Sequence, residues 1–133
     1  MNKKNWIINT LLSIHLILFS SLGHAKVNHH TQSAQQLGVA TYYSDSYQGK
    51  RTASGEFYDK NKLTTVHKHY PFGTLLRVTN LKNNHSVIVK VNDRAPLRNN
   101  HVLDLSKQAA VELDFIKAGR AKVKIEAIQS DNT

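Results

Sequence analysis

Six short runs of strand-forming residues, separated by turn signals, limit what this chain can fold into. Apolar and β-branched residues tend to recur at every second position in these runs, as they do on a half-buried strand. The loop between the third and fourth runs contains Asn83 and Asn84, which can adopt the left-handed backbone of a tight hairpin turn. Strands at this spacing predict a small all-β barrel or sandwich. The runs are residues 38–43, 63–67, 74–80, 86–92, 101–105 and 121–128.

One short helix is predicted between the last two runs. Ser106 can cap its N terminus by accepting hydrogen bonds from backbone N–H groups. The sequence KQAAVELD that follows places Ala110, Val111 and Leu113 near one face. We expect this helix to end near Gly119.

The N-terminal segment has the features of an export signal. Two lysines precede an apolar stretch, residues 6–22, and Gly23 and Ala25 then supply the small residues that a signal peptidase reads. We predict that residues 1–25 are a cleaved secretory signal. A transmembrane anchor is the alternative, but the stretch is near the lower length limit for spanning a bilayer. Because no Cys follows it, we expect no lipid anchor, and a soluble mature protein with no membrane span.

The rest of the chain is predicted to form one domain with flexible ends. Residues 26–36 are polar and aperiodic, which is typical of a flexible arm. The domain is predicted over residues 37–128, and residues 129–133 form a tail. With no cysteine in the chain, the hydrophobic core must hold the domain without disulfides. We expect a monomer.

The charge of the mature chain predicts an anionic partner. Loss of the signal leaves 16 basic residues against 9 acidic ones, a formal charge of +7. An exported protein meets anionic cell-envelope polymers more often than nucleic acid. The chain also has no nucleic-acid motif such as paired zinc ligands or an aromatic RNA-binding pattern. We therefore predict an envelope polymer as partner and no nucleic acid.

The stretch VIVKVNDRAP, residues 87–96, aims a carboxylate at the end of an apolar strand face. Val89 and Val91 share one face of a strand, and one further step of two residues puts Asp93 on the same face. Two interpretations remain open for Asp93. It is either a turn-forming aspartate or an acid at the edge of a core, where partial desolvation favours the protonated form.

Two histidines form an H-x-H pair. His67 and His69 could bind a metal if a carboxylate joined them, but a lone pair of this kind is weak evidence, and we predict neither a metal nor another cofactor. His67 is either a core histidine hydrogen-bonded to backbone or a functional residue. We expect His69 to be an exposed loop residue.

Three long segments of the β-rich part are GVATYYSDSYQGKRTASGEFYD, LTTVHKHYPFGTLLRVTNLKNNHSVIVKVNDRAP and HVLDLSKQAAVEL. Together they resemble the RlpA family, also called rare lipoprotein A. The resemblance implies a six-stranded double-psi β-barrel, related to expansin and barwin domains, over residues 37–128. It also implies a periplasmic endolytic lytic transglycosylase that remodels the cell wall. Such an enzyme cuts peptidoglycan between N-acetylmuramic acid and N-acetylglucosamine and forms 1,6-anhydro-N-acetylmuramic acid.

Matched position by position, the resemblance implies that Glu56, His67 and Asp93 are catalytic and that Asp104 lies in the substrate groove. Asp93 is expected to do the acid/base work alone, because the C6 hydroxyl of muramic acid is the nucleophile and no water is needed. His67 is expected to position Asp93 or the substrate, or to stabilise developing positive charge. Glu56 is expected to stabilise charge or to relay a proton.

Two further residues are candidates for substrate binding. Of the neighbours Tyr42 and Tyr43, one is expected to stack on a sugar and the other to lie in the core, and Tyr43 is our candidate for the sugar. Arg94 is expected to pair either with an envelope carboxylate or with Asp104. The family's lipid-bearing Cys and its C-terminal SPOR domain have no counterpart here, so outer-membrane tethering and septal recruitment are not implied.

Two other functions are compatible with these residues. An expansin-like module would keep the barrel and an aspartate but would bind cell-wall glycan without cutting it. A purely structural exported protein would explain the charge but not the co-occurrence of Glu56, His67 and Asp93. The sequence leaves open whether the protein is retained in the periplasm or released, which glycans it prefers, and which of Asp93 and Asp104 is the main acid/base.

Overall fold

All six predicted strands and the single helix are present in the computed structural model, which describes residues 34–98 and 100–128. The first strand begins two residues before the predicted domain boundary. The predicted signal peptide, most of the arm and the tail lie outside the described residues. The elements are β1 (Gln35–Tyr42), β2 (Thr64–Val66), β3 (Leu75–Asn80), β4 (Ser86–Asp93), β5 (His101–Leu105), α1 (Lys107–Glu112) and β6 (Ala121–Ala127), with a short 3-10 helix at Asp45–Tyr47.

The strands close into one barrel in the order β1-β5-β2-β4-β3-β6. The pairs β1–β5 and β2–β4 are parallel, and the other pairs are antiparallel. Closure gives every strand two neighbours. This closed barrel confirms the predicted fold class and shows that, of the two predicted alternatives, the fold is a barrel and not a sandwich. Among the described residues, no helix is long and apolar enough to cross a membrane.

The barrel interior is filled by the apolar residues that alternate along the strands. On β3 and β4 the inward positions are fully buried and the residues between them face outward. Helix α1 adds two alanines to the same core. The buried cluster includes Leu76, Val78, Val87, Val89, Val91, Leu103, Leu105, Ala109, Ala110, Leu113, Phe115, Val123 and Ile125.

The helix is shorter than predicted. Ser106 caps it as expected, its Oγ accepting from the Ala109 N–H at 3.4 Å. The helix ends at Glu112, well before Gly119, because Asp114 adopts a left-handed conformation with a φ of 55° and the chain then buries Phe115 in the core. The prediction that Val111 shares a face with Ala110 and Leu113 was wrong, since those two residues are buried and Val111 is 51% exposed.

The hairpin loop between β3 and β4 secures the end of this helix. Asn84 has a φ of 61°, which confirms the predicted left-handed turn residue. The side-chain amides of Asn80 and Asn83 donate to the Leu113 carbonyl at 2.9 and 3.1 Å. These bonds satisfy a carbonyl that the helix itself leaves without a partner.

Two β-bulges interrupt the regular register, one in each of the two parallel strand pairs. Between β1 and β5 the pairing jumps from Val39–His101 to Ala40–Leu103, so Val102 has no partner. Between β2 and β4 it jumps from Thr65–Val91 to Val66–Asp93, so Asn92 is the extra residue. A bulge breaks the two-residue alternation and redirects the side chains that follow it.

Candidate active site

The bulge at Asn92 positions Asp93 at the end of β4. Asn92 is buried next to the buried Val91, so the alternation that predicted Asp93 on the valine face breaks one residue before it. Asp93 is half-buried at the barrel surface. The sequence therefore identified the position of this carboxylate, but the bulge sets its direction.

The Asp93 carboxylate accepts three hydrogen bonds. Oδ1 accepts from the backbone N–H groups of Ala53 and Arg94, each at 2.8 Å. Oδ2 accepts from the phenol of Tyr43. The donors come from the loop before β2, the end of β1 and the chain after β4, so this carboxylate joins three parts of the fold. Because a carboxylate offers about four acceptor positions, one position on Oδ2 remains.

Tyr43 holds Asp93 and presents no surface to a sugar. Its side chain is only 6% exposed and packs on Tyr58, with 4.4 Å between the ring centroids. Burial, with the hydrogen bond to Asp93 as a second cause, raises the pKa of Tyr43 far above its usual value, so the phenol stays a donor. The expected stacking of Tyr43 on a sugar does not fit this geometry. Tyr42 is also engaged, its hydroxyl donating to the Ile116 carbonyl at 3.0 Å.

An exposed aromatic ring that the sequence analysis did not single out lies beside this pair. Tyr47 is 46% exposed and contacts Tyr43 edge-on, at 5.5 Å between centroids. The Lys50 ammonium lies 4.9 Å from the centre of the Tyr47 ring. Exposed rings of this kind suit stacking on sugars, and Tyr47 lies only four residues beyond the predicted Tyr43.

Asp104 lies across β2 from Asp93. Val66 on β2 is paired with Asp93 on one side and with Asp104 on the other. Adjacent strands are about 4.8 Å apart, so the two aspartates are separated by roughly 10 Å at their Cα atoms. Their carboxylates can therefore flank a single sugar linkage.

The environment of Asp104 favours its protonated form. Burial raises the pKa of Asp104, and the nearby negative charge of Asp93 raises it further, against an opposing hydrogen bond from Thr41. Thr41 Oγ1 donates to Asp104 Oδ1 at 3.2 Å. The two carboxylates thus differ. That of Asp93 accepts three hydrogen bonds, and that of Asp104 accepts one, from the Thr41 side chain. Two carboxyls in such unequal surroundings are suited to separate acid and base roles.

His67 is buried and neutral. Its Nδ1 accepts from the backbone N–H groups of His69 and Tyr70 at 3.0 Å each, so Nε2 carries the proton and donates to Gln36 Oε1 at 3.1 Å. Burial, with the charges of His69 and Arg94, lowers the pKa of His67 to about 4. This is the geometry of a core histidine hydrogen-bonded to backbone. Its contact with Asp93 is through the main chain, where the His67 N–H donates to the Asp93 carbonyl at 3.3 Å.

Arg94 is held by the turn that residues 67–70 form around the His67 imidazole. Its guanidinium donates to the carbonyls of His67 and Tyr70, the latter at 2.8 Å, and it lies 4.8 Å from the centre of the Phe72 ring. Within the described residues, Arg94 forms no ion pair with Asp104. Together, His67 and Arg94 fix the turn next to the Asp93 backbone.

Glu56 lies at the edge of the site and is ionised. Its carboxylate accepts from Lys90 Nζ at 2.8 Å and from the buried Asn92 amide at 3.0 Å. The hydrogen bond from Lys90 is the main cause that lowers the pKa of Glu56, whose side chain is 49% exposed. Glu56 therefore ties its loop to the bulge that carries Asp93.

The predicted site residues thus meet at one end of β4, but in different roles. Asp93 and Asp104 face the site with their carboxyl groups, and Tyr43 supports Asp93. His67, Arg94 and Glu56 are occupied by neighbouring protein groups. Within the described residues, no three acidic or histidine side chains are grouped so that they could hold a metal ion.

Comparisons with known proteins identify the family of this chain. Residues 35–125 match the model of the lytic transglycolase family. The endolytic peptidoglycan transglycosylase RlpA of Campylobacter jejuni is 50% identical over 91 residues, which is 68% of this chain and 33% of that protein. RlpA of Neisseria meningitidis serogroup A is 48% identical over 93 residues, covering 70% of this chain and 39% of that protein. The chain therefore spans only about a third of the length of these relatives.

Solved structures share the fold at lower sequence identity. The Streptomyces papain inhibitor superposes with a TM-score of 0.59 at 21% identity, over 72% of this chain and 96% of the inhibitor. The apo expansin of Clavibacter michiganensis gives a TM-score of 0.59 at 24% identity, over 75% of this chain and 53% of the expansin. These likenesses concern the double-psi barrel alone. On the family model and the barrel that it covers, the chain belongs to the lytic transglycolase family, with RlpA proteins among its relatives.

Proposed function

We propose that this protein is an endolytic lytic transglycosylase that cuts the bond between N-acetylmuramic acid and N-acetylglucosamine in peptidoglycan. The observation that carries the proposal is the pair Asp93 and Asp104, which flank Val66 in unequal surroundings. The names of the RlpA relatives support the same reaction. Cleavage of a glycosidic bond needs a proton for the leaving oxygen, and an intramolecular nucleophile removes the need for water.

Asp104 is the proton donor in this mechanism. Its raised pKa keeps a larger fraction protonated than an exposed aspartate would have. The proton goes to the glycosidic oxygen as the bond from C1 of muramic acid to that oxygen breaks. This differs from the expectation that Asp93 performs both proton transfers.

Asp93 is the proton acceptor. Its Oδ2 has one acceptor position beyond the bond from Tyr43, and this position can take the hydrogen of the C6 hydroxyl. The C6 oxygen then bonds to C1 and closes the 1,6-anhydro ring. One proton is given and one is taken, so the two carboxyls exchange protonation states and reset by exchange with solvent.

The remaining site residues keep this pair in place. His67 and Arg94 fix the turn beside the Asp93 main chain, and Glu56 anchors the loop whose Ala53 N–H binds Asp93. Positioning groups of this kind contribute by keeping reacting atoms aligned. Tyr47 supplies an exposed face on which a sugar of the bound strand can stack.

Product analysis tests the proposal. Wild-type protein incubated with purified peptidoglycan is expected to release muropeptides that end in 1,6-anhydro-N-acetylmuramic acid, detected by mass spectrometry. Asp104→Asn and Asp93→Asn are each expected to lower the rate at least about a hundredfold. Reducing ends would indicate a hydrolase instead. Binding without release of products would favour the expansin-like module.

The proposed reaction takes place outside the cytoplasm, where peptidoglycan lies. Export rests on the charged and apolar pattern of residues 1–25, which lie outside the described part of the chain. We propose that the mature protein acts in the periplasm.

A further inference from the structure

A basic groove lies on the barrel surface beside the start of β6. We use this name for the concave surface lined by Lys82, Arg120 and Lys122 together with the apolar Leu81 and Phe115. Its cavity has a volume of about 400 Å³. The groove is therefore large enough for a sugar substituent or a short peptide and not only for a single ion.

The basic groove leads toward the acid pair. An adjoining cavity is also lined by Arg120 and Lys122 and continues to Val39 and His101. Val39 lies two residues before Thr41 on β1, so their side chains share a face, and Thr41 donates to Asp104. Lys122 pairs with Val39 on one side of β1 and Asp104 pairs with Thr41 on the other side, so the Cα atoms of Lys122 and Asp104 are roughly 12 Å apart. This is about the length of one disaccharide of a glycan strand.

The cations of the groove are available to a ligand. Ion pairs among the described residues involve Lys90, Lys107 and Lys124, and none involves Lys82, Arg120 or Lys122. Asp114 is the single acid in the lining of the main cavity, so the three cations leave a net positive charge. A groove that combines positive charge with low-dielectric walls attracts anions.

We propose that the basic groove is an anion subsite for a carboxylate carried by a muramic acid unit one disaccharide away from the cleaved bond. This inference rests on the proposed function. The carboxylate has two sources with the same chemistry: the lactyl group of a muramic acid without peptide, or the stem peptide attached to that group. Charge complementarity and continuity with the acid pair both favour a ligand that belongs to the glycan strand.

Binding measurements with defined glycans test the subsite. Asp104→Asn serves as the background, so that the probe is not consumed. Isothermal titration would use three probes: a peptide-free oligosaccharide of alternating N-acetylglucosamine and N-acetylmuramic acid, the same oligosaccharide with stem peptides, and a neutral N-acetylglucosamine oligomer of equal length. We expect at least one carboxylate-bearing probe to bind more tightly than the neutral oligomer, and the tighter of the two identifies the source.

Charge-matched variants assign the difference to the groove. Adding Arg120→Gln and Lys122→Gln should weaken binding of the preferred anionic probe by roughly three- to tenfold and leave the neutral oligomer unchanged. Lys62→Gln with Lys117→Gln removes the same charge from exposed positions outside the groove and is the control. Equal losses in the two double variants, or equal binding of all three probes, would overturn the subsite.

The remaining outcomes separate this inference from the proposed function. Groove-dependent binding of the oligosaccharide, without anhydro products from the wild type, would refute the transglycosylase and keep the subsite. Anhydro products from the wild type, together with glycan binding that does not depend on the groove, would keep the transglycosylase and refute the subsite. Groove-dependent binding to phosphatidylglycerol vesicles but to no glycan would assign the groove to a membrane surface and overturn the inference.

Discussion

Asp93→Asn and Asp104→Asn are predicted to change stability in opposite directions at neutral pH, although both replace a carboxylate by an amide of the same size. In Asp93→Asn, an oxygen can still accept from Ala53 and Arg94, but the Tyr43 phenol then faces an amide nitrogen. A hydrogen bond to a charged group contributes about 1.5–3 kcal/mol, so we expect the free energy of unfolding to fall by about that amount.

Asp104→Asn is expected to be more stable than the wild type at pH 7. Burial raises the pKa of Asp104 in the folded state, so the folded protein binds its proton more tightly than the unfolded chain does. The contribution of Asp104 to the stability of the wild type therefore falls as pH rises from the unfolded pKa, about 3.9, through the raised folded pKa. The amide cannot ionise and avoids this loss, while Thr41 can still donate to its oxygen.

Urea unfolding of wild type and both variants at pH 4 and pH 7 measures these differences. The advantage of Asp104→Asn should shrink at pH 4, where the wild-type carboxyl is protonated for more of the time. A loss of stability in Asp104→Asn at pH 7, as large as that of Asp93→Asn, would contradict the assignment of the proton to Asp104. An advantage that is the same at both pH values would show that titration of Asp104 is not its cause.

Three further predictions concern other parts of the chain. The contribution of His67 to stability should fall as pH falls from about 6.5 toward about 4, since the pKa of His67 is lowered in the folded state. In urea unfolding the wild type should therefore lose stability relative to His67→Gln over this range, and a difference that does not change with pH would argue against it. Gly38→Ala should destabilise the domain by about 1–3 kcal/mol, because the added Cβ would lie 2.3 Å from Val102 Cγ1. In thermal unfolding, adding Val102→Ala to the same chain should restore part of the lost stability. N-terminal sequencing of exported protein should begin near Lys26, and a retained Met1 would disprove cleavage.

The sequence predicts the elements of this fold better than the roles of its site residues. Strand positions follow from a two-residue alternation that a buried barrel face requires, and all six were found. Val111 was misplaced because each residue turns an α-helix by about 100°, which takes Val111 off the face that Ala110 and Leu113 share. The helix also ends early, where Asp114 turns the chain to bury Phe115. The turn depends on packing between distant residues, which the local pattern does not contain.

The candidate site shows the same limit. The alternation along β4 located Asp93, but the bulge at Asn92 depends on pairing with β2 and has no signal in the strand itself. Tyr43 and Tyr42 could not be assigned from their order alone, since both prove to be engaged by other residues. The sequence also could not show that the turn at residues 67–70 is held by hydrogen bonds to the His67 imidazole and from the Arg94 guanidinium.

Closure of the barrel also has a consequence for how the chain folds. The first strand, β1, pairs with the last strand, β6, and with β5. These pairings therefore cannot form until almost the whole domain is available. Contacts between residues so distant in sequence slow folding, because the entropy of closing a long loop must be lost before the contacts form. A chain that is truncated before β6 would expose the edges of β1 and β3, which could then pair with other chains. Nascent chains of this domain should therefore be most prone to aggregation just before their last strand is complete.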